Sequence, residues 1–303
     1  MNPAGADKTI LCVGRLYCDL IFSGMPRLPS LGTEVFAGGA GLYPGGGAFI
    51  TAAHLSKLGR PVALAAMLPG PPFQSAMADQ MAAAAIDLSL CRALPDGADP
   101  QITAALLGDG DRAFVTRRSG PACPPLSSRV LQGMNVGHLH IGELSTLAEH
   151  PELIVIARDA GLTVSLDCAW DETMDPSGLS ALIAQVDVFL PNEAEVGWLI
   201  EHGVTIPPTS LVVTKRGAGG SEAIQKGQHF KAPVEKVNVV DATGAGDAFN
   251  AGFLDAWLQG LMLPKCLTAG NRQGGFAVQG LGGCPDIKPR RETAEVEQTE
   301  LVK

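Results

Sequence analysis

Short, almost wholly apolar runs recur along this chain, each separated from the next by a stretch with helical spacing, and that alternation limits the fold more than any other feature. The runs lie at 10–13, 62–66, 138–141, 163–166, 186–190 and 211–214. A strand with one face in water alternates apolar and polar residues, whereas strands this uniformly apolar are buried on both faces, as in a parallel sheet. Parallel strands need crossover connections, and the stretches at 48–58, 74–85, 151–160, 194–201 and 245–259 supply helices for them. The expected class is therefore α/β: a three-layer sandwich with a mostly parallel central sheet. One region breaks the rhythm. Residues 100–119 read as two strands around a Gly/Asp turn at Gly108–Asp111, a hairpin. Together with the stretch around 19–35 it is expected to form a small β lid, drawn from about 15–40 and 98–120. No repeat of fixed period and no low-complexity linker occurs, so residues 1–303 are read as a single domain, with a charged, solvated tail at 288–303.

Composition narrows the class of partner. With 303 residues, 46% of them hydrophobic and 17% charged, the chain buries a full core and is not globally disordered. A net charge of −9 argues against broad binding to nucleic acid or to an anionic membrane. It leaves room for a local anion site, because oriented backbone N–H groups add no net charge. The 7 cysteines are scattered, none in a C-x-x-C pair, so they read as small reduced hydrophobes rather than a disulfide scaffold. No basic segment followed by a long apolar stretch opens the chain, and no run approaches the ~20 apolar residues of a membrane span. A cytoplasmic location is the expectation.

The chemistry concentrates in VVDATGAGDAFNAGFL, residues 239–254. Read locally, the β-branched VNVV is a strand ending at Asp241, small residues follow, and a helix starts close to Asp247. Gly244, Ala245 and Gly246 leave backbone N–H groups uncovered where the positive end of that helix points, an arrangement that holds anions. A carboxylate beside such a loop can take a proton from an alcohol while the N–H groups hold a transferring phosphoryl group. Taken alone, Asp247 could equally be an ordinary helix cap.

The longer string decides more than its parts. DATGAGDAF resembles the C-terminal signature of the ribokinase family, the PfkB-type carbohydrate kinases, and three further segments in the same order extend the resemblance over most of the chain. They are GGGAFITAAHLSKLG at 45–59, VFLPNEAEVGWL at 188–199 and NRQGGFAVQGLGG at 271–283. The resemblance implies an ATP-dependent kinase acting on a hydroxyl of a sugar or sugar-like acceptor. Asp247 then matches the general base, and Gly244, Ala245 and Gly246 the anion hole. Asn192 and Glu195 match a pair that organises phosphate and Mg²⁺, the latter through water; read without the family, they are a helix cap and a surface acid. Lys215 and Gly217 match the turn under the nucleotide phosphates, and Asn271 the adenine pocket. Asp241 and Thr243 fall where many members hold a monovalent cation such as K⁺. On the acceptor side, Asp19 matches an early acid that accepts hydroxyl hydrogen bonds, Gly45, Gly46 and Gly47 the turn beside it, and Glu143 a sugar contact. The hairpin carrying Arg112 and Phe114 matches a lid that excludes water, and relatives imply a homodimer paired through that sheet.

Two departures bear on the acceptor. Ile50 stands where the family usually has a substrate-binding Asn, and the usual D-x-N reads Asp167-Cys168-Ala169. The expectation drawn from both is a less polar acceptor pocket, which keeps a nucleoside kinase as the alternative and a non-catalytic sugar-binding regulator as a remoter one. A nicotinamide dehydrogenase is disfavoured, because Val13-Gly14 runs on into Arg15-Leu16-Tyr17 with no G-x-G-x-x-G. A P-loop enzyme is excluded, since no lysine follows a glycine. His138 and His140 share a strand face and read as core packing or a pocket wall, not a metal site.

Overall fold

All six apolar runs form strands, and all six lie in one sheet. The structure is a computed structural model that describes residues 8–285 apart from 96, 109–110, 170, 172 and 208–209. The charged tail expected at 288–303 lies outside the described residues. The chain begins with β1 (Thr9–Val13), β2 (Tyr17–Met25), β3 (Gly39–Gly45), α1 (Gly47–Lys57) and β4 (Val62–Ala65). A short pair, β5 (Met67–Leu68) and β6 (Arg92–Ala93), flanks α2 (Phe73–Ala83), and β7 (Ile102–Gly108) and β8 (Asp111–Arg117) follow. Next come α3 (Ser128–Gly133), β9 (Val136–Ile141), α4 (Leu144–Glu149), α5 (Glu152–Asp159), β10 (Thr163–Asp167) and α6 (Leu179–Ile183). Then β11 (Val188–Leu190), α7 (Glu193–Glu201), β12 (Leu211–Lys215), β13 (Ser221–Gln225) and β14 (Gln228–Ala232) lead to α8 (Ala245–Leu258) and α9 (Leu263–Ala277).

The large sheet has the order β14-β13-β12-β11-β10-β9-β1-β4 and is parallel from β4 to β12. Residues within one strand alternate between two cores. Leu11 and Val13 of β1 join Leu139, Ile141, Val164 and Leu166 against α4 and α5, while Ile10 and Cys12 turn to the other face and meet Phe49, Ile50 and Leu55 of α1. Farther along that face, Val188, Leu190 and Val213 pack under Phe249 and Phe253 of α8 and Leu267 of α9. Only the β12–β13–β14 end is antiparallel. Lys226 and Gly227, with φ of 50° and 78°, form the tight turn between β13 and β14, and two positive φ values match the right-handed twist of the strands they join.

A second sheet, β3-β2-β7-β8, is built from β2 paired antiparallel to β3 and parallel to β7, with β7–β8 the expected hairpin. Its first arm runs on to Gly45, farther than the 15–40 boundary read from sequence, because β3 stays paired with β2 to the start of α1.

His138 and His140 are neutral core histidines. His138 shares hydrogen bonds with Thr163 (2.7 Å) and Ser165 (2.8 Å), and His140 with Ser165 (2.9 Å). Burial pushes their pKa values down to about 3 and about 4.

Candidate active site

Parallel strands bring their carboxyl ends to one edge of a sheet, where loops build sites. Val13, Ile141, Asp167, Leu190 and Lys215 end five adjacent parallel strands, and the start of α8 packs over this edge through Asn250 on Asp167. The segment 237–240, expected as a strand, is not one. It has no strand partner; instead Val240 and Asp241 donate their N–H groups to the Val278 carbonyl at the end of α9 (2.8 and 3.2 Å).

Gly244, with φ of 72°, is the N-cap of α8, and no side chain caps the helix. The first N–H groups of a helix have no partner within it, so Gly246 and Asp247 present theirs at a positive helix end without a competing side chain. The Asp247 carboxyl stands in that first turn. Burial, reinforced by the carboxylates of Asp167, Glu143 and Glu195 and opposed by Lys215, pushes its pKa up to about 8.

The three glycines of the turn before α1 each have a separate reason. A Cβ on Gly45 would stand 1.9 Å from Asp19 Oδ2, so the Asp19 carboxyl lies directly over that residue. Gly46 has φ of 94°, and a Cβ there would meet the Arg15 carbonyl oxygen at 2.2 Å. A Cβ on Gly47 would stand 2.7 Å from the Gly142 carbonyl oxygen and 2.9 Å from Asp247 Oδ1. The turn thus brings Asp19 to one end and Asp247 to the other, with Glu143 directly after Gly142. Asp19 is buried, and burial pushes its pKa up to about 7 against a hydrogen bond from Thr103. Glu143 is likewise raised by burial, with Arg15 and Arg118 opposing, and it accepts from the Ser145 hydroxyl at 3.2 Å.

Those two arginines had no place in the sequence reading. Arg15 is buried and bonded to Gln101 (2.7 Å), the Gly120 carbonyl (2.8 Å) and Glu149 (2.5 Å). Arg118, just past β8, pairs with Asp171 and hydrogen-bonds Tyr17. The missed signal was a buried-type neighbourhood, Gly14-Arg15-Leu16, around a charge at a strand end.

Asn192 and Glu195 form a reciprocal capping box on α7. The Asn192 N–H donates to Glu195 Oε2 (2.7 Å), and the Glu195 N–H donates to Asn192 Oδ1 (2.9 Å). Glu195 is not a surface acid: it is buried, and burial together with Asp167 pushes its pKa up to about 7. Gly217 opens a turn with φ of 51°. The Asn271 amide donates to the carbonyls of Ala232 (3.0 Å) and Pro233 (3.1 Å), so it fixes the chain after β14. Asp241 accepts N–H groups from Thr243 (2.8 Å) and Gly282 (2.9 Å), while the Thr243 hydroxyl is buried without a partner.

Lys215 is engaged by other side chains of the site. Its Nζ lies 2.7 Å from Asp167 Oδ1 and 3.3 Å from Asn250 Oδ1. Ile50 departs from expectation. It is 3% exposed, and its side chain is what a Cβ on Gly283 would strike, at 2.4 Å, and lies 3.1 Å from where one on Gly244 would stand. It packs beneath the α8 loop as core, so its apolar character says little about the acceptor pocket. Ala169 has φ of 48°; Trp170 lies outside the described residues. A separate hollow of about 890 Å³ beside α9 is lined by none of these residues.

A family model for pfkB family carbohydrate kinases matches residues 8–290. The chain belongs to this family. Among relatives of this pfkB family kinase, a fructokinase of Rhizobium leguminosarum bv. trifolii is 25% identical over 307 aligned positions, covering 94% of this chain and 88% of that one. The fold is shared with a nucleoside kinase of Methanocaldococcus jannaschii (TM-score 0.76, 22% identity, 92% and 94% of the two chains). It is shared equally with a ribokinase of Cryptococcus neoformans var. grubii serotype A in complex with ADP (TM-score 0.75, 18% identity, 92% and 96%). Kinases of this family transfer a phosphoryl group from ATP, so this is a phosphotransferase of the sugar and nucleoside kinase kind. No helix among the described residues is long and apolar enough to cross a membrane.

Proposed function

We propose that the protein phosphorylates a hydroxyl of a sugar or sugar-like acceptor with ATP, and that Asp247 is the general base. One observation carries this reading: a half-buried carboxyl in the first turn of an uncapped helix, with a second, buried acid, Asp19, at the other end of the Gly45–Gly47 turn. Asp19 and Glu143 accept hydrogen bonds from acceptor hydroxyls and so orient the reacting oxygen toward Asp247. Asp247 takes the proton as that oxygen bonds to the γ-phosphorus and the bond to ADP breaks. The free N–H groups at the Gly244–Gly246 turn, Gly246 and Asp247 foremost because that of Ala245 is turned to the Ala242 carbonyl (3.3 Å), hold the charge on the moving phosphoryl oxygens, which is the larger part of catalysis in phosphoryl transfer. A base with a pKa near the working pH serves such a step well.

Asn192, Gly217 and Asn271 frame the nucleotide side. Glu195 suits Mg²⁺ bound through water: it is a buried acid with one oxygen engaged by the Asn192 N–H, and among the described residues Lys215, its nearby cation, is bonded to Asp167 instead. When bound, Mg²⁺ neutralises charge on the nucleotide phosphates. For K⁺, the orphaned Thr243 hydroxyl beside Asp241 is the feature that suits a cation ligand. The β3-β2-β7-β8 sheet serves as the lid, and its exposed apolar residues Phe114 and Val115, with Phe36 in the loop before β3, suit pairing in a homodimer. A cytoplasmic location accords with cysteines that are all free.

The nucleoside kinase alternative loses part of its support, because Ile50 packs as core. The test is substrate-dependent ADP release across a panel of sugars, substituted sugars and nucleosides, repeated with Asp247→Asn. Turnover should fall at least ~10²-fold in that variant with ATP affinity little changed. Near-normal turnover would remove Asp247 as the base, and absence of ADP release with every acceptor would leave the regulator reading.

A further inference from the structure

The sequence resemblance puts Lys215 under the nucleotide phosphates, but its side chain has a different set of neighbours. Lys215 ends β12 and Asp167 ends β10, two strands either side of β11. The ammonium bonds Asp167 Oδ1 at 2.7 Å and Asn250 Oδ1 at 3.3 Å, and Asn250 Nδ2 closes the ring onto Asp167 Oδ2 at 2.6 Å. Asn250 is fully buried and lies three residues, just under one turn, beyond Asp247 on α8. A Cβ on Gly246 would stand 3.3 Å from Lys215 Nζ. The cation therefore lies against Gly246 within this ring of side chains. A bare positive charge at a helix N-terminus is unfavourable, and Asp167 offsets it; a grip on outside phosphates would need no such buried ring.

We propose that Lys215 is a positioning residue: held by Asp167 and Asn250, its ammonium supports the Gly244–Gly246 turn and the Asp247 carboxylate, and it does not hold the nucleotide. The inference rests on Asp247 being the base. Four groups act on Asp247 from the surrounding elements. Asp167 at the end of β10, Glu143 before α4 and Glu195 on α7 disfavour its charge, and Lys215 at the end of β12 favours it. Loss of the ammonium leaves three carboxylates unopposed, and an opposite charge at such range moves a pKa by about one unit or more.

The test is Lys215→Met, which keeps length and removes charge, with melting temperature recorded as a check on folding. Calorimetry of ATP binding needs no acceptor and so stands apart from the proposed reaction. ATP dissociation constants within about twofold of the unmodified protein are expected, and a tenfold weakening would overturn the proposal in favour of a phosphate grip. With the acceptor found in the panel, kcat should fall at least ~10-fold at unchanged KM for ATP, and the rising limb of the pH profile should move up by roughly one unit. An unchanged kcat and an unchanged limb would overturn it. Should Lys215→Met fail to fold, Asn250→Ala keeps the ion pair and loosens it; the same directions are expected, and a wild-type kcat with a wild-type limb would overturn the proposal. If the unmodified protein releases no ADP, the proposed reaction fails, while the ATP-binding comparison still decides the role of Lys215.

Discussion

Gly47→Ala tests whether the close approach at the Gly45–Gly47 turn positions the site. Gly47 begins α1, and its φ does not require glycine, so alanine there gains about 0.8–1 kcal/mol of helix propensity. Space is the difficulty. The new Cβ would stand 2.7 Å from the Gly142 carbonyl oxygen and 2.9 Å from Asp247 Oδ1, about 0.7 and 0.5 Å inside ordinary contact. The carbonyl is fixed by the end of β9, so α1 must back away or the Asp247 carboxyl must swing. Overpacking of this size costs about 1–3 kcal/mol, for a net loss of about 0–2 kcal/mol and a melting point lower by about 0–6 °C. Activity is more sensitive, since a misplacement near 1 Å can cost ~10²-fold in rate. We expect kcat/KM in the ADP-release assay to fall between ~10- and ~100-fold. Gly197→Ala in α7 is the control, because nothing lies within 4 Å of its would-be Cβ; it should match or exceed the unmodified melting point with full activity. If Gly47→Ala keeps kcat/KM within about twofold, the argument that this contact positions Asp247 is wrong.

Glu195→Gln should raise the Mg²⁺ concentration for half-maximal rate, because it removes a charge near the metal's water shell; superimposable titrations would leave Glu195 a capping residue only. Stability should be highest near about pH 5 and fall between about pH 6 and 8, measured as melting temperature from pH 4 to 9. His54, His138 and His140 are held down to about 4, 3 and 4, so the unfolded chain binds more protons there below 6.5 and their own contribution falls on acidification, offset above about pH 5 by the acids. Asp19, Glu195 and Asp247 are raised to about 7, 7 and 8, so their contribution is lost as pH rises through those values; a steady rise in melting temperature to pH 9 would contradict this. Ile50→Asn should lower stability by about 1–3 kcal/mol by burying an amide against the Gly244 and Gly283 backbone, and improved use of free sugars without that loss would show that the side chain faces the acceptor after all.

The parallel half of the fold was legible because burial on both faces leaves a signal that needs no neighbours to interpret. All six expected strands lie within about two residues of those observed, and α8 within one. What failed to register had local rather than periodic causes. The β13–β14 hairpin is mostly half-exposed, and its turn is Lys226-Gly227 rather than an Asn-Gly or Asp-Gly pair. α3, α4 and α6 are 6, 6 and 5 residues long, too short for a helical period to repeat. The segment 237–240 erred in the opposite direction: its β-branched residues suit a strand, but strand structure needs a partner, and Val278 at a helix end is what it meets.

The site was legible to a different depth on its two sides. Motif spacing located the α8 turn, because glycines and an acid within one turn constrain backbone geometry directly. Orientation of long side chains is not in the spacing. Lys215 follows a strand whether its ammonium points to a nucleotide or to Asp167, and only the pairing of β10, β11 and β12 brings Asp167 near enough to capture it. Asn250 did carry a signal: an amide amid Phe249, Ala251 and Phe253, on a helix otherwise apolar over that span, must find a buried partner. The same reasoning applies on the acceptor side. Ile50 drew attention as a lost amide, yet the groups around the glycine turn are Asp19, Glu143 and Asp247, with Arg118 and Tyr17 bonded to each other close by. On the proposed reading an acceptor entering there meets these carboxylates first, and its recognition then follows the hydrogen-bond donors it offers to those acids rather than apolar area.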